Sequence, residues 1–209
     1  MIKNIIFDSG GVIVKYKNTF HPELLSKLFS IPVEGAVAIW EQNRSRVITG
    51  KITTKELLSE LKVKLNSIYE TEELYQRWLD SFTENTYVID NELLDLINEL
   101  KKTYKVYLLT NIFDTTAKHK SHINISSFFH RAFRSYELKL KKPDRKIFLC
   151  LLREIKSIPE ESIFIDDQEK NILAARKIGM KGIVYSDINH LKKELIQHRV
   201  DIEVKKYSG

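Results

Sequence analysis

Ile5-Ile6-Phe7-Asp8-Ser9-Gly10-Gly11-Val12-Ile13-Val14 is the stretch on which the reading of this chain turns. A short β-branched and aromatic run that ends in a carboxylate and two glycines describes a buried strand delivering Asp8 to an exposed turn. Open parallel sheets bind their ligands beyond the carboxyl ends of strands, so an Asp in that place is a candidate nucleophile or metal ligand. The plainer alternative is an Asp that caps the turn by accepting from backbone amides. What the other strands end in decides between them.

Downstream, strands and helices alternate. Lys105-Val106-Tyr107-Leu108-Leu109 is a strand ending at Thr110-Asn111, and Ala132-Phe133-Arg134-Ser135 is a short third one. Leu140-Lys141-Lys142-Pro143-Asp144 turns into a helix over 145–155, and Ser162-Ile163-Phe164-Ile165 is a fourth strand closed by Asp166-Asp167. The helix over 171–178 carries small Ala174 and Ala175 and is stopped by Gly179, as suits a helix lying close to a sheet. Lys181 to Tyr185 is a fifth strand, and the tail from Asp201 is a last strand or a frayed end. Helices over 91–102 and 114–122 fill the remaining gaps. His119 and His122 on the latter stand three apart, a two-ligand spacing, with no third partner evident. Strands separated by helices imply a parallel sheet covered on both faces. All strands then end on one side, where Asp8, Thr110, Lys142, Asp166 and Asp167 can meet.

Between the first strand and residue 86 the pattern is helical throughout. Pro22 opens one helix, and residues 33–48 form another with Val33, Val37, Trp40, Arg44 and Val47 expected on one side. Thr53 or Thr54 with Glu56 caps a third, whose stripe is Leu57, Leu58, Leu61 and Leu65. A fourth opens at Thr71 and buries Tyr75, Trp78, Leu79 and Phe82. This is a small helical bundle interrupting an α/β chain.

The 209 residues suffice for one core with a small insertion. No apolar run approaches the roughly 18 residues that span a bilayer, and Met1-Ile2-Lys3-Asn4 leads straight into a strand, so neither a membrane span nor a signal peptide is expected. Cys150 is the single cysteine, which excludes an internal disulfide and fits a reducing cytoplasm. The net charge of +6 is spread over the helices without a base-stacking aromatic cluster. A solvated basic surface is the plainer reading; beyond it, the charge can draw small phosphorylated substrates toward a cleft, a role placed ahead of nucleic-acid binding. Nothing in the pattern sets an oligomeric state.

Carboxylates gathered in one crevice repel one another unless a cation lies between them, and an all-oxygen donor set suits Mg²⁺. A Lys point charge and a Thr hydroxyl beside it are what a phosphoryl group needs as its charge redistributes. An Asp in such a site can attack phosphorus and form an aspartyl-phosphate. For Lys142 the plainer alternative is a solvated loop lysine, and for Asp166-Asp167 an N-cap.

Taken in order, Phe7-Asp8-Ser9-Gly10-Gly11-Val12-Ile13, Leu108-Leu109-Thr110-Asn111, Lys142-Pro143-Asp144 and Ile165-Asp166-Asp167 with Asn171, Ala174, Ala175 and Gly179 resemble the haloacid dehalogenase-like hydrolase superfamily. The resemblance spans nearly the whole chain. It implies a Rossmann-like three-layer αβα core with a parallel sheet, residues 1–15 and 86–209, and a helical cap of the phosphatase branch, residues 16–85. It implies Mg²⁺ as cofactor, Asp8 as nucleophile and metal ligand, and Gly10 as a metal ligand through its carbonyl. Asp166 and Asp167 complete the metal site. Thr110, Asn111 and Lys142 bind the substrate phosphate, Lys142 also neutralising charge on the nucleophile. The turn Thr49-Gly50-Lys51-Ile52 looks like a cap loop that reaches toward substrate.

One position departs from the family pattern. Most phosphatases of this kind carry a second Asp two residues after the nucleophile, as general acid and base, and here that position is Gly10. Members resembling this chain carry Gly there and are still phosphatases. A metal-bound water, a weakly basic leaving group or His21 are candidates for the role. The expected function is hydrolysis of a small phosphorylated metabolite, a sugar phosphate for example. The alternatives are a slow or non-catalytic phosphate-binding relative and, against the Asp166-Asp167 pair, a haloacid dehalogenase, whose family pattern there is Ser-Ser-Asn.

Overall fold

The computed structural model describes residues 1–16, 20–81, 87–118 and 125–202. Ile5, Ile6 and Phe7 are wholly buried, as a strand covered on both faces must be. They belong to β1 (Asn4–Phe7), the central strand of a five-stranded sheet. With β2 (Val14–Tyr16) and β3 (Tyr87–Ile89) set aside, the sheet strands are β1, β4 (Lys105–Thr110), β5 (Arg131–Arg134), β6 (Ser162–Asp166) and β7 (Lys181–Val184). Their spatial order is β5-β4-β1-β6-β7, and every pairing is parallel, with Phe7 set between Leu108 and Ile165.

Side chains alternate across the sheet with the two-residue period of a strand. Ile5, Phe7, Val106, Leu108, Ile163 and Ile165 pack under Leu93 and Ile97 of α5 (Asn91–Leu100) and Leu191 and Leu195 of α10 (Ile188–Gln197). Ile6, Leu109 and Phe164 point the other way. They meet Ile147, Phe148 and Leu151 of α8 (Arg145–Glu154) and Ile172 and Ala175 of α9 (Glu169–Arg176). The result is the expected three-layer αβα sandwich.

The chain winds from β1 out to β4 and β5, then returns to the other side of β1 for β6 and β7. That reversal leaves a crevice at the carboxyl ends of β1, β4 and β6.

Several elements go beyond the sequence reading, α10 and the β2 and β3 pair among them. α10 occupies 188–197, where no helix was expected. Its start is marked by Asp187, whose Oδ1 accepts from the His190 N–H at 2.9 Å, and its buried face by Leu191 and Leu195. β2 and β3 pair antiparallel, Val14 opposite Ile89. Three residues each are too few to show a period.

Between β2 and β3 lie α1 (Phe20–Phe29), α2 (Val33–Ile48), α3 (Thr54–Lys64) and α4 (Thr71–Ser81). They share a core of their own built on Leu25, Ala36, Trp40, Leu57, Leu58, Leu61, Leu74 and Trp78. The start of α3 is the expected capping box. The Glu56 N–H donates to Thr53 Oγ1 at 3.1 Å and the Thr53 N–H to Glu56 Oε2 at 2.7 Å.

The expected stripe of α2 needs correcting. Val33 and Val37 are 45% and 43% exposed, whereas Ala36, Trp40 and Val47 are buried. A 3.6-residue period admits both stripes, and packing on α1 and α3 selects the second.

α6 is described over Asp114–Lys118. His119 and His122 lie outside the described residues, as do Phe82 and the tail from 203. Among the described residues no helix is long and apolar enough to cross a membrane.

Candidate active site

β1 delivers Asp8 to the crevice with its backbone still in the ladder, the Asp8 N–H donating to the Ile165 carbonyl at 2.8 Å. Its side chain is fixed from both directions. The Ser9 N–H donates to Asp8 Oδ1 at 2.7 Å and Lys142 Nζ lies 2.8 Å from the same oxygen. The chain then turns sharply, Ile13 and Val14 both donating to the Ser9 carbonyl. Gly11 has φ +80°, and a Cβ there would lie 2.3 Å from Asp167 Oδ2. Only glycine lets this turn approach the second acidic group so closely.

Lys142 arrives on a loop after the short helix α7 (Ser135–Leu138). Asn111 clamps that loop by its backbone. The Lys142 N–H donates to Asn111 Oδ1 at 2.9 Å, and Asn111 Nδ2 donates back to the Lys142 carbonyl at 3.0 Å. The ammonium is buried and donates to Asp166 Oδ2 at 2.7 Å and the Leu109 carbonyl at 3.1 Å, besides its contact with Asp8. Burial alone pushes such an ammonium down, yet Asp8 and Asp166 against it raise Lys142 above the ordinary lysine value. It is not a solvated loop lysine.

Asp166 and Asp167 are adjacent in sequence and unlike in surroundings. Asp166, the last residue of β6, is wholly buried. Its Oδ1 accepts from the Gln168 N–H at 2.8 Å, and both its oxygens accept from Asn171 Nδ2 at 3.0 Å. Asp167, one residue past the strand, is exposed. One carboxylate oxygen from each of Asp8, Asp166 and Asp167 lies within 4.8 Å of the others. Burial raises the Asp8 carboxyl to about 6 against the pull of Lys142, with the Asp166 charge adding to the rise. Burial and then Asp166 raise Asp167 as well. Crowded carboxylates, a hard oxygen donor set and one member open to the crevice fit a hard divalent cation such as Mg²⁺.

The crevice is a cavity of about 480 Å³ lined by Asp8, Gly10, Gly11, Thr110, Asn111, Lys142 and Asp167 from the sheet side. Every site residue expected from the sequence therefore borders it except Asp166, which lies beneath. The insertion supplies Glu41, Arg44, Ser45 and Ile48 of α2. Of these only Arg44 was singled out from the sequence, and Lys141, Gln168 and Lys170 were missed too. The spacing of three, four and seven residues from Glu41 was the available signal, hidden because those side chains are mostly polar.

Other expectations move away from the site. Trp40 and Trp78 are core, and His21 stacks on Trp40 with ring centroids 4.6 Å apart and meets Phe113 at 5.0 Å. Burial between those rings, with Arg44 nearby, lowers the imidazole to about 3. His21 is not among the residues lining the cavity, so its position does not support it as an acid–base group there. The Thr49-Gly50-Lys51-Ile52 turn docks on α7 instead, a Cβ at Gly50 falling 2.3 Å from the Tyr136 carbonyl oxygen.

A family model for haloacid dehalogenase-like hydrolases matches residues 2–179. The chain belongs to the haloacid dehalogenase-like hydrolases. It is 30% identical over 190 residues to a D-ribitol-5-phosphate phosphatase of Bacteroides thetaiotaomicron, a match covering 87% of this chain and 90% of that protein. It is 25% identical over 189 residues to a sesquiterpene phosphatase of Aspergillus oryzae, covering 88% and 90%. Among solved structures, a member of the family from B. thetaiotaomicron in complex with magnesium and inorganic phosphate superposes with a TM-score of 0.72 at 25% identity, covering 91% of this chain and 99% of that one. A Porphyromonas gingivalis relative at 22% identity, with a TM-score of 0.77 over 97% of this chain and all of that one, shows the same fold.

Proposed function

We propose that this haloacid dehalogenase-like hydrolase is a Mg²⁺-dependent phosphatase acting on a small phosphorylated metabolite through an aspartyl-phosphate on Asp8. The enzyme is a phosphoric monoester hydrolase, with residues 1–15 and 86–209 as catalytic core, 16–85 as cap and the cytoplasm as its compartment. The observation that carries the reading is the Lys142 ammonium wedged between Asp8 and Asp166, 2.8 and 2.7 Å from them, beside the open carboxylate of Asp167. A lysine so placed keeps Asp8 ionised and in one rotamer. The Asp8 carboxylate attacks phosphorus, the bond from phosphorus to the leaving oxygen breaks, and that oxygen takes a proton from solvent water, since position 10 carries no carboxyl to supply it. Water then attacks the phosphorus of the acyl phosphate and releases Asp8 and inorganic phosphate. Thr110 and the Lys142 charge hold the phosphoryl oxygens, while Asn111 keeps the Lys142 loop in place and borders the same cavity.

Asp8, Asp167 and the Gly10 carbonyl would hold Mg²⁺, which would supply electrostatic stabilisation of the phosphoryl charge. Asp166 supports this set through Lys142, since both its oxygens already accept hydrogen bonds. Gly10 favours a second reading, a slow enzyme or phosphate-binding relative, because the usual acid–base carboxylate is missing.

The test is a screen of phosphate monoesters with Mg²⁺ and with EDTA, repeated with Asp8→Asn. Expected is Mg²⁺-dependent phosphate release that falls by about 10³-fold or more in the variant, the scale of losing a covalent nucleophile. Release unaffected by Asp8→Asn refutes the mechanism. A stable BeF₃⁻ adduct with no turnover on any ester selects the second reading.

A further inference from the structure

We infer that the α2 face over the cavity makes this enzyme selective for phosphate esters of small polyhydroxylated chains, with Glu41 and Arg44 as the specificity-determining residues. The inference rests on the phosphatase reading and concerns the part of the substrate beyond phosphorus. Trp40 and Val47, about a quarter-turn round α2 from Glu41 and Ile48, are buried in the cap's own core together with the edge residue Ile48, which fixes the rotation of the helix. Glu41, Arg44, Ser45 and Ile48, at relative positions 0, 3, 4 and 7, therefore face the cavity together.

Arg44 Nη1 and Glu41 Oε1 are 3.9 Å apart, and both side chains are more than half exposed. At that separation they do not satisfy each other. A guanidinium carries five donors and a carboxylate about four acceptor positions, so both retain capacity for a ligand. Ser45 adds a hydroxyl, and only Ile48 offers an aliphatic surface. A substrate whose phosphate sits by Asp8, Thr110 and Lys142 thus extends toward an acceptor, a donor and a hydroxyl in sequence.

Neighbouring hydroxyl groups donate to Glu41 and accept from Arg44 at once. An apolar isoprenoid chain strips water from both charged groups and returns no hydrogen bond. A second anionic group suits Arg44 but is repelled by Glu41. Hydroxyl groups are the chemistry that satisfies the whole face.

The experiment compares kcat/KM for a pentitol phosphate, an isoprenyl phosphate and p-nitrophenyl phosphate with Mg²⁺, in the wild type and in Glu41→Ala, Arg44→Ala and Gln42→Ala. The wild type should prefer the pentitol ester over the isoprenyl ester by at least about tenfold, a factor two ordinary hydrogen bonds supply. Glu41→Ala and Arg44→Ala should each cut that ratio by about tenfold, chiefly through KM for the pentitol ester. Gln42→Ala, an exposed change on the same helix outside the cavity lining, should preserve it. Equal or faster turnover of the isoprenyl ester, or a ratio that neither cap variant moves, overturns the inference while p-nitrophenyl phosphate hydrolysis leaves the phosphatase reading standing. No hydrolysis of any ester by the wild type refutes that reading and the selectivity with it.

Discussion

Lys142 balances two buried carboxylates, so its removal tests structure and chemistry together. Lys142→Ala leaves Asp8 and Asp166 facing each other without a cation. Breaking a buried pair in this way costs about 3–5 kcal/mol, and urea unfolding in EDTA should show a loss of that order alongside lost phosphatase activity. Gly10 makes the opposite prediction. A positioned acid–base group contributes about 10² to 10⁴ in rate, so Gly10→Asp should raise kcat toward the lower end of that range in steady-state assays. An unchanged kcat would mean that proton transfer does not limit turnover. Asp8 and Thr110 were legible because strand-ending polar residues stand out against apolar runs, and Lys142 because it precedes a Pro-Asp turn into a helix. The different jobs of Asp166 and Asp167 were not. One is the last ladder residue and faces inward, its neighbour has left the strand, and sequence adjacency conceals that step.

α2 serves the cap core with one face and the cavity with another, and a reading by hydrophobicity alone finds only the first. Its far end is set by the turn at Gly50, with φ +59° and the Tyr136 carbonyl oxygen 2.3 Å from the place of a Cβ. Core residues also key into the cap. Phe113 joins its aromatic cluster, Thr54 Oγ1 donates to Asp114 Oδ1 at 2.6 Å, and Trp78 Nε1 donates to Thr115 Oγ1 at 3.0 Å. Gly50→Ala meets both backbone strain and a collision, and strain of this kind costs about 1–3 kcal/mol. We expect a lowered thermal midpoint and a raised KM, because the turn must lift from Tyr136 and carry Glu41 and Arg44 with it. A midpoint equal to the wild type would show that this docking contributes little.

Across the whole molecule the topology does the gathering. Asp8 and Asp166 are separated by 158 positions and meet because β1 lies between β4 and β6. The charge of +6 belongs to this scale as well; at the cavity Arg44, Lys141, Lys142 and Lys170 stand against Asp8, Glu41 and Asp167, so any steering comes from the molecule's overall charge. A positive field draws in phosphorylated substrates, and salt screens it over about 8–10 Å. kcat/KM for a dianionic monoester should accordingly fall by about two- to fivefold as ionic strength rises from about 20 to 300 mM, with kcat less affected. A flat salt profile would show that the spread of lysines is a solvated surface without a steering role.

By itself the sequence determined the parallel αβα core, the helical insertion and the strand-end residues of the site, because period, breakers and polar strand ends are local signals. It left unreported α10, the β2 and β3 pair and most of the α2 lining, where signals are short, skipped or polar. Only the tertiary structure decided that Asp166 is buried under Lys142 while Asp167 is open, that His21 belongs to an aromatic cluster, and that Glu41 and Arg44 overlook the cavity. Each of those depends on which residue a side chain meets across the fold, and neighbours of that kind are distant in sequence.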